Sequence, residues 1–223
     1  MQAWNVKNPV SWCPGCGNYG LLLALKRALV SVGAEPHNTA VIAGIGCGAL
    51  LPYWIKTYGF CSLHGRAIPV ASGVKMANQN LQVIVNGGDG DIYGIGMGHL
   101  NHLCRRNLDL TVIVNNNGVY GLTKGQTSPT TPTGIVTNST PQGNPDRPVN
   151  GLALAFTMGA TFVARSYYGD VKHLQATIEA ALKHKGTAII DVLEICFSFN
   201  KFTKPEDYKE KLKYIEKPAA NRL

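Results

Sequence analysis

The chain has 223 residues, 45% of them hydrophobic and 15% charged, which is enough for one sizeable core and excludes a disordered or low-complexity chain. Lys and Arg exceed Asp and Glu by 21 − 13 = 8, an excess that favours an acidic partner. No apolar run approaches the roughly 18 residues of a membrane span, and Gln2-Ala3-Trp4-Asn5 is no basic-then-apolar leader. A cytoplasmic protein with no membrane role is expected. Its six cysteines are therefore read in a reducing compartment, where metal binding or catalysis outranks disulfides.

In chain order, the pattern predicts a helix over about 18–32, a strand at Val41-Ile42-Ala43, and a helix over 67–79. A strand at Val83-Ile84-Val85 follows, then a helix over 93–106 and a strand at Val112-Ile113-Val114. After a long stretch, helix 150–158, strand Phe162-Val163-Ala164, helix 170–185 and strand Ile189-Ile190-Asp191-Val192 close the series. Asp170 is a good N-cap for the last helix and Lys185-Gly186 a good stop. Short β-branched strands alternating with helices predict an α/β fold, a doubly wound and mostly parallel sheet. Ligands of such sheets sit at the carboxyl ends of strands.

Two segments break the rhythm. Residues 123–149 hold Pro129, Pro132, Pro141, Pro145 and Pro148, and a loop so long is functional or braced by a neighbour. Residues 200–223 carry seven Lys/Arg against four Asp/Glu and read as an exposed extension. The expected division is thus a domain over 1–199 and an extension over 200–223.

Four strand ends carry the chemistry. Gly44-Ile45-Gly46-Cys47-Gly48-Ala49 satisfies the spacing of a dinucleotide fingerprint. That reading needs an acidic residue about 20 positions on, and none occurs between Glu35 and Asp89, so a glycine turn approaching some other ligand is preferred. Asn86-Gly87-Gly88-Asp89-Gly90-Asp91 sets a carboxylate among glycines, which suits a Mg²⁺ bridging to phosphates. Asn115-Asn116-Asn117-Gly118-Val119-Tyr120 adds neutral oxygen ligands. Gly88-Asp89-Gly90 followed by Asn116-Asn117 matches the thiamine diphosphate motif. Finally, Trp12-Cys13-Pro14-Gly15-Cys16-Gly17, Cys47 and Cys196 offer four thiolates for one [4Fe–4S] cluster or one Zn²⁺. Cys61 and Cys104 are read as small packing groups.

From about Trp12 to Asn200 the chain resembles the β subunits of 2-oxoacid:ferredoxin oxidoreductases, through WCPGCGNYG, GIGC, LHGRAIPVASGVK, GGDGD, GHLNHLCRRN, NGVYGLTKGQTSPT, GATFVAR and HKG in that order. The resemblance implies a thiamine diphosphate-binding fold and CoA-dependent oxidative decarboxylation of a 2-oxoacid, with electrons leaving through a [4Fe–4S] cluster to ferredoxin. It implies Cys13, Cys16, Cys47 and Cys196 as cluster ligands. Asp89, Asn117 and the Val119 carbonyl are implied as Mg²⁺ ligands. Ile45, Gly46, Cys47, Gly48, His64, Gly90, Asp91, Gly121 and Leu122 are implied around thiamine diphosphate. His64 and Arg66 are the candidates for polarising or binding anionic groups, with a surface ion pair the alternative for Arg66.

The sequence departs from the family at Phe197-Ser198 after the last ligand, and at Ala49-Leu50-Leu51, where relatives acting on 2-oxoglutarate carry a lysine after the glycine. An earlier end than in many β subunits suggests reduced C-terminal contacts with a partner. No Glu stands before Asp89 except Glu35, in an apparent helix–strand loop, and the resemblance implies that the carboxylate that activates the cofactor comes from an α subunit. Two rival readings remain at this point. One is a thiamine-dependent, non-oxidative decarboxylase or synthase with a structural zinc. The other is a basic zinc module for nucleic acid, disfavoured because Lys and Arg are scattered without interleaved aromatics.

Overall fold

The computed structural model describes residues 1–215. Among them the strands are β1 (Thr39–Ala43), β2 (Tyr58–Cys61), β3 (Gln82–Gly88), β4 (Leu110–Asn116), β5 (Val119–Tyr120), β6 (Gln126–Thr127), β7 (Phe162–Tyr167) and β8 (Thr187–Leu193). The helices are α1 (Asn18–Ser31), α2 (Leu51–Trp54), α3 (Ala67–Ala77), α4 (Met97–Arg106), α5 (Gly151–Thr157), α6 (Val171–Lys183) and α7 (Pro205–Lys211). Six strands form one parallel sheet in the order β2-β1-β3-β4-β8-β7, and β5 pairs antiparallel with β6.

Side chains alternate across the pleat, so each central strand feeds two cores. Val41, Ile84, Ile113 and Ile190 pack on one face with Leu21, Leu25 and Leu29 of α1 and Leu174 and Ile178 of α6. Ile42, Val83, Val85, Val112, Val114 and Ile189 pack on the other with Ile68 of α3, Leu100 and Leu103 of α4 and Ala155 of α5. Helices on both faces make the sheet doubly wound, as its continuous apolar strands require. No helix among the described residues is long and apolar enough to cross a membrane.

Four places differ from the sequence reading. Strand β2 went unread because it lies at the sheet edge with Tyr58, Gly59 and Phe60 exposed, so it carries no buried apolar run. The helix expected from 93 begins at 97. Before it, Gly90–Ile95 form a wide π-helical turn, broken at Gly94 (φ −88°, ψ −113°). The helix expected to reach Lys185 ends at Lys183; Gly186, at φ 117°, instead lies so close to Asn107 and Thr161 that a Cβ there would meet Asn107 Oδ1 at 2.6 Å. The segment from residue 200 is not wholly exposed in its described part. It folds into α7, where the Tyr208 ring packs 5.3 Å from that of Tyr167, and Phe202 lies against Gly118. Residues 216–223 of that segment fall outside the described residues.

Candidate functional site

The carboxyl ends of β1, β3, β4 and β8 lie side by side, because the strands are parallel and adjacent. Each runs into one of the motifs read from sequence. The β1 turn, Gly44–Gly48, and the start of the π-helical turn are joined by Asp91. Its buried Oδ1 accepts from the backbone N–H of Gly65 at 2.7 Å and of Ile45 at 3.2 Å, and pairs with His64 Nδ1 at 2.8 Å. Burial raises the Asp91 carboxyl, against the lowering pull of those two N–H donors and His64. A carboxylate partner draws the proton to Nδ1, which leaves His64 Nε2 free to face a ligand. Room for Asp91 comes from two glycines: a Cβ on Gly44 would stand 1.9 Å from Oδ2, and one on Gly87, 2.6 Å. Asp91 is thus a brace for the site's backbone. Gly46, at φ 128°, has no atom within 4 Å of its absent Cβ, so the β1 turn opens on free space.

Asp89 is the buried carboxylate at the end of β3, 1% exposed. Ser128 Oγ and Thr130 Oγ1 each donate to its Oδ2 at 2.5 Å. Burial pushes the carboxyl up to about 6, although both hydroxyls pull it down. Thr130 Oγ1 also lies 2.9 Å from Asn116 Oδ1, so one hydroxyl proton faces two acceptors. The Asn116 amide is oriented from behind: its Nδ2 donates to both oxygens of Asp191 at 3.2 Å. Asp191, fully buried, further accepts from Tyr93 at 3.0 Å and Arg165 at 3.4 Å. Asn117 Oδ1 accepts from the Val119 N–H at 3.1 Å, closing the turn after β4, and the Asn117 carbonyl accepts from Asn200 Nδ2 at 2.8 Å. Asp89, Asn117 and Val119 therefore stand at neighbouring strand ends, with Asn116 the one coupled to Asp89 through Thr130.

The cysteines form the third part. The Cys13–Cys16 turn is tight, with Cys16 N–H donating to Cys13 O at 3.0 Å and Gly15 at φ 81° under the Phe197 ring. Trp12 Nε1 donates to the Cys47 carbonyl at 2.8 Å and ties this turn to the β1 turn. A Cβ on Gly121 would lie 3.4 Å from Cys196 Sγ and 3.7 Å from Cys47 Sγ, so the glycine is seated between the two thiols. Burial, then the charges of Cys196, Cys13 and Glu194, push the Cys47 thiol up to about 11. Burial, with Glu194 and Cys47 adding to it, pushes Cys16 up to about 12. All four thiols share one electrostatic neighbourhood, and none is in a disulfide. No three His, Cys, Asp or Glu among the described residues meet at a single-ion point. Cys104 is buried in the second core, and Cys61 packs beside Ala49 with Sγ 3.6 Å from its carbonyl.

Other candidates are placed as follows. Gly90 and Tyr120 are in close contact, a Cβ on Gly90 meeting the Tyr120 ring at 2.1 Å, while Leu122 is half exposed. Arg66 stands at the N-cap position of α3 without a side-chain capping bond, and its guanidinium donates to the Gly65 carbonyl at 3.5 Å. Glu35 precedes β1, at the opposite end of the sheet, and closes the Pro36–Asn38 turn. The sequence reading missed Glu194, Asn115, Ser128, Thr130 and Asp191. Glu194 had one available signal, an acid two residues before Cys196, just past the end of a largely apolar strand.

Residues 39–192 match the family model of the thiamine pyrophosphate enzymes, C-terminal TPP binding domain. A 2-oxoacid:ferredoxin oxidoreductase subunit beta of Saccharolobus solfataricus is 50% identical over 219 residues, covering 97% of this chain and 70% of that one. The chain belongs to the β subunits of the 2-oxoacid:ferredoxin oxidoreductases. Another relative of this β subunit, 2-oxoglutarate oxidoreductase subunit KorB of Mycobacterium tuberculosis, is 46% identical, covering 86% of this chain and 51% of that one. The solved 2-oxoglutarate:ferredoxin oxidoreductase from Magnetococcus marinus, with 2-oxoglutarate, coenzyme A and succinyl-CoA bound, superposes with a TM-score of 0.96 at 38% identity. It covers 99% of this chain and 76% of that chain. The fold is thus the thiamine diphosphate-binding one, and the dinucleotide reading of the glycine turn falls away.

Proposed function

We propose that this β subunit carries the diphosphate half of an active site for CoA-dependent oxidative decarboxylation of a 2-oxoacid, passing electrons through a [4Fe–4S] cluster to ferredoxin. The observation that carries the reading is the double membership of Cys47. It lies in the open Gly44–Gly48 turn, where a diphosphate would sit, and beside Cys196 across Gly121. Cofactor and cluster would therefore be neighbours.

The residues fit the groups. Asp89, Asn117 and the Val119 carbonyl are hard oxygen donors suited to Mg²⁺. Cys13, Cys16, Cys47 and Cys196 are the four thiolates a cluster needs. Ile45, Gly46, Gly48, His64, Gly90, Asp91, Gly121 and Leu122 surround the cofactor's place. The chemistry thiamine diphosphate supplies when bound is addition to the 2-oxo carbon and a sink for the electrons left by CO₂. This chain's residues bind and orient. Asp91 holds the His64 ring and the Ile45 backbone; with the proton on Nδ1, His64 Nε2 accepts from a ligand N–H or O–H, and the ring binds an anionic oxygen only as the imidazolium, in which both nitrogens donate. Arg66, at the start of α3, is the second candidate for an anionic group.

Glu35 is at the wrong end of the sheet, and Glu194 is turned to the buried Asn115 amide. The carboxylate that activates the cofactor then comes from the α subunit, which the β-subunit relationship implies. Residues 1–199 form the cofactor domain in this reading and 200–223 an extension, in a cytoplasmic enzyme. The +8 charge suits docking of an acidic ferredoxin, so turnover falls as salt rises.

The test is an anaerobic spectrum with iron analysis, then 2-oxoacid- and CoA-dependent dye reduction by this chain alone and with its α subunit. A brown protein active only in the complex is expected. A colourless zinc protein releasing aldehyde without an electron acceptor would replace the reading with the non-oxidative one.

A further inference from the structure

The long loop 123–149 reaches back into the strand ends through one short, buried stretch. Ser128 is 4% exposed and Thr131 fully buried. Ser128 N–H donates to Thr131 Oγ1 at 2.8 Å, Thr131 Oγ1 donates to the Gly118 carbonyl at 2.7 Å, and Asn144 Nδ2 donates to the Thr131 carbonyl at 2.9 Å. So fixed, the stretch aims two hydroxyls at Asp89. Both fall on Oδ2, which leaves Oδ1 for a cation. The same stretch walls a cavity of about 540 Å³, lined by Tyr120, Ser128, Pro129, Asn144 and Arg147 among others. Ser128 belongs to the cavity and to Asp89 at once, and Tyr120 joins the cavity to the turn by donating to the Gly90 carbonyl at 3.2 Å.

We propose that Ser128 and Thr130 are positioning residues for Asp89, and that through them binding of Mg²⁺–thiamine diphosphate and the latching of loop 123–149 onto the strand ends strengthen each other. The inference rests on the reading of Asp89 as the cation ligand. Two hydroxyl donors on one oxygen fix the carboxylate's rotation, so no freedom is lost when the cation takes the other oxygen. Asn116 Oδ1, aimed by Asp191, is the second acceptor for the Thr130 proton and ties that hydroxyl to the end of β4 as well. Coupling of this kind is reciprocal: whatever factor the latched loop adds to cofactor affinity, the cofactor adds to the latched state of the loop.

The experiment uses the chain co-purified with its partner subunit. Calorimetry measures Mg²⁺–thiamine diphosphate affinity, and trypsin reports on the loop. The exposed Lys124 is the cleavage site there, since Arg147 precedes Pro148. In Ser128→Ala/Thr130→Ala, affinity should fall roughly ten- to a hundredfold, the size of losing hydrogen bonds to a charged group, with iron content unchanged. At saturating cofactor, the protection of Lys124 seen in the wild type should be lost. Ser128→Thr alone, which keeps the donor, should retain both. If the double variant does not fold, Ser128→Ala and Thr130→Val singly should each show a smaller loss of the same two readouts. Asp89→Ala separates the two levels. Wild-type affinity in Asp89→Ala overturns the cation reading and this proposal with it. Lost binding in Asp89→Ala, with wild-type affinity and loop protection in the hydroxyl variants, overturns this proposal alone.

Discussion

The Asn115 amide donates to the Glu194 carboxylate at 3.1 Å while its second N–H meets Asn18 Oδ1 at 2.7 Å. This pair lies between the cysteines and the strand ends that hold Asp89. Burial pushes the Glu194 carboxyl up to about 8, and Asn115 supplies the main opposing pull. Glu194 also touches the cysteine turn, since a Cβ on Gly17 would stand 3.0 Å from its Cβ. Removing Asn115 orphans a buried carboxyl and the Asn18 oxygen together. Asn115→Leu should therefore cost about 2–3 kcal/mol. The double variant Asn115→Leu/Glu194→Leu should cost less than the sum of the singles, because the orphaned acid is gone. Urea unfolding of the cluster-free chain and the three variants checks this; strict additivity would dissolve the pair.

How much of this was legible beforehand follows from where each signal is written. The central strands β1, β3, β4 and β8 are largely apolar on both faces, so their runs are visible without a partner, while edge strand β7 shows one only over Phe162-Val163-Ala164. Edge strand β2 is half solvent-facing and Gly-containing, and it carries no such run. The motifs Gly44–Gly48, Gly88-Asp89-Gly90 and Asn116-Asn117 mark strand ends because glycine and amide turns are local features. The braces behind them are not local. Asp191 meets Asn116 across 75 residues and Asn115 meets Glu194 across 79, and only the strand order β3-β4-β8 brings them together. Ser128 and Thr130 were hidden in a stretch whose proline content spoke louder than its hydroxyls.

Iron content gives the sharpest test of the cysteine set. Cys196→Ser and Cys47→Ser remove the two thiols that flank Gly121, and each should lower bound iron and bleach the visible band. Cys61→Ser should leave both unchanged, since that thiol donates to the Ala49 carbonyl and neighbours Tyr53. Elemental analysis of anaerobically purified variants decides it, and full iron in Cys196→Ser would refute the assignment.

One substitution, glycine to alanine, should have opposite signs at two positions. At Gly44 the new Cβ falls 1.9 Å from Asp91 Oδ2, so the carboxylate that braces Ile45, Gly65 and His64 must move. A loss of roughly 2–4 kcal/mol is expected, the range of overpacking joined to a broken buried network. At Gly73, in the middle of α3, nothing lies within 4 Å of the new Cβ. There the gain in helix propensity should stabilise by about 0.5–1 kcal/mol. Thermal melts of the two variants beside the wild type measure both, and a neutral Gly44→Ala would show that Asp91 is not held where we find it.

Asp170 offers a test of sign with pH. It caps α6, accepting from the His173 N–H at 3.0 Å and from the Tyr214 hydroxyl at 2.7 Å. Those donors, His173 first and Tyr214 second, hold its carboxyl below its ordinary value of 3.8. A depressed carboxyl contributes stability above the unfolded value, and that contribution is lost as pH falls through the folded one. At pH near 7, Asp170→Ala should lose about 1 kcal/mol, the usual worth of such a cap, or roughly 2–4 °C in melting temperature for a chain of this size. Asp170→Asn keeps an oxygen for His173 and should lose less. The gap between wild type and Asp170→Ala should hold steady down to about pH 5 and narrow below about pH 4, as the wild-type carboxyl takes up its proton. Melting curves across that range decide it: a gap that widens in acid would mean that the charge on Asp170 works against the fold, not for it.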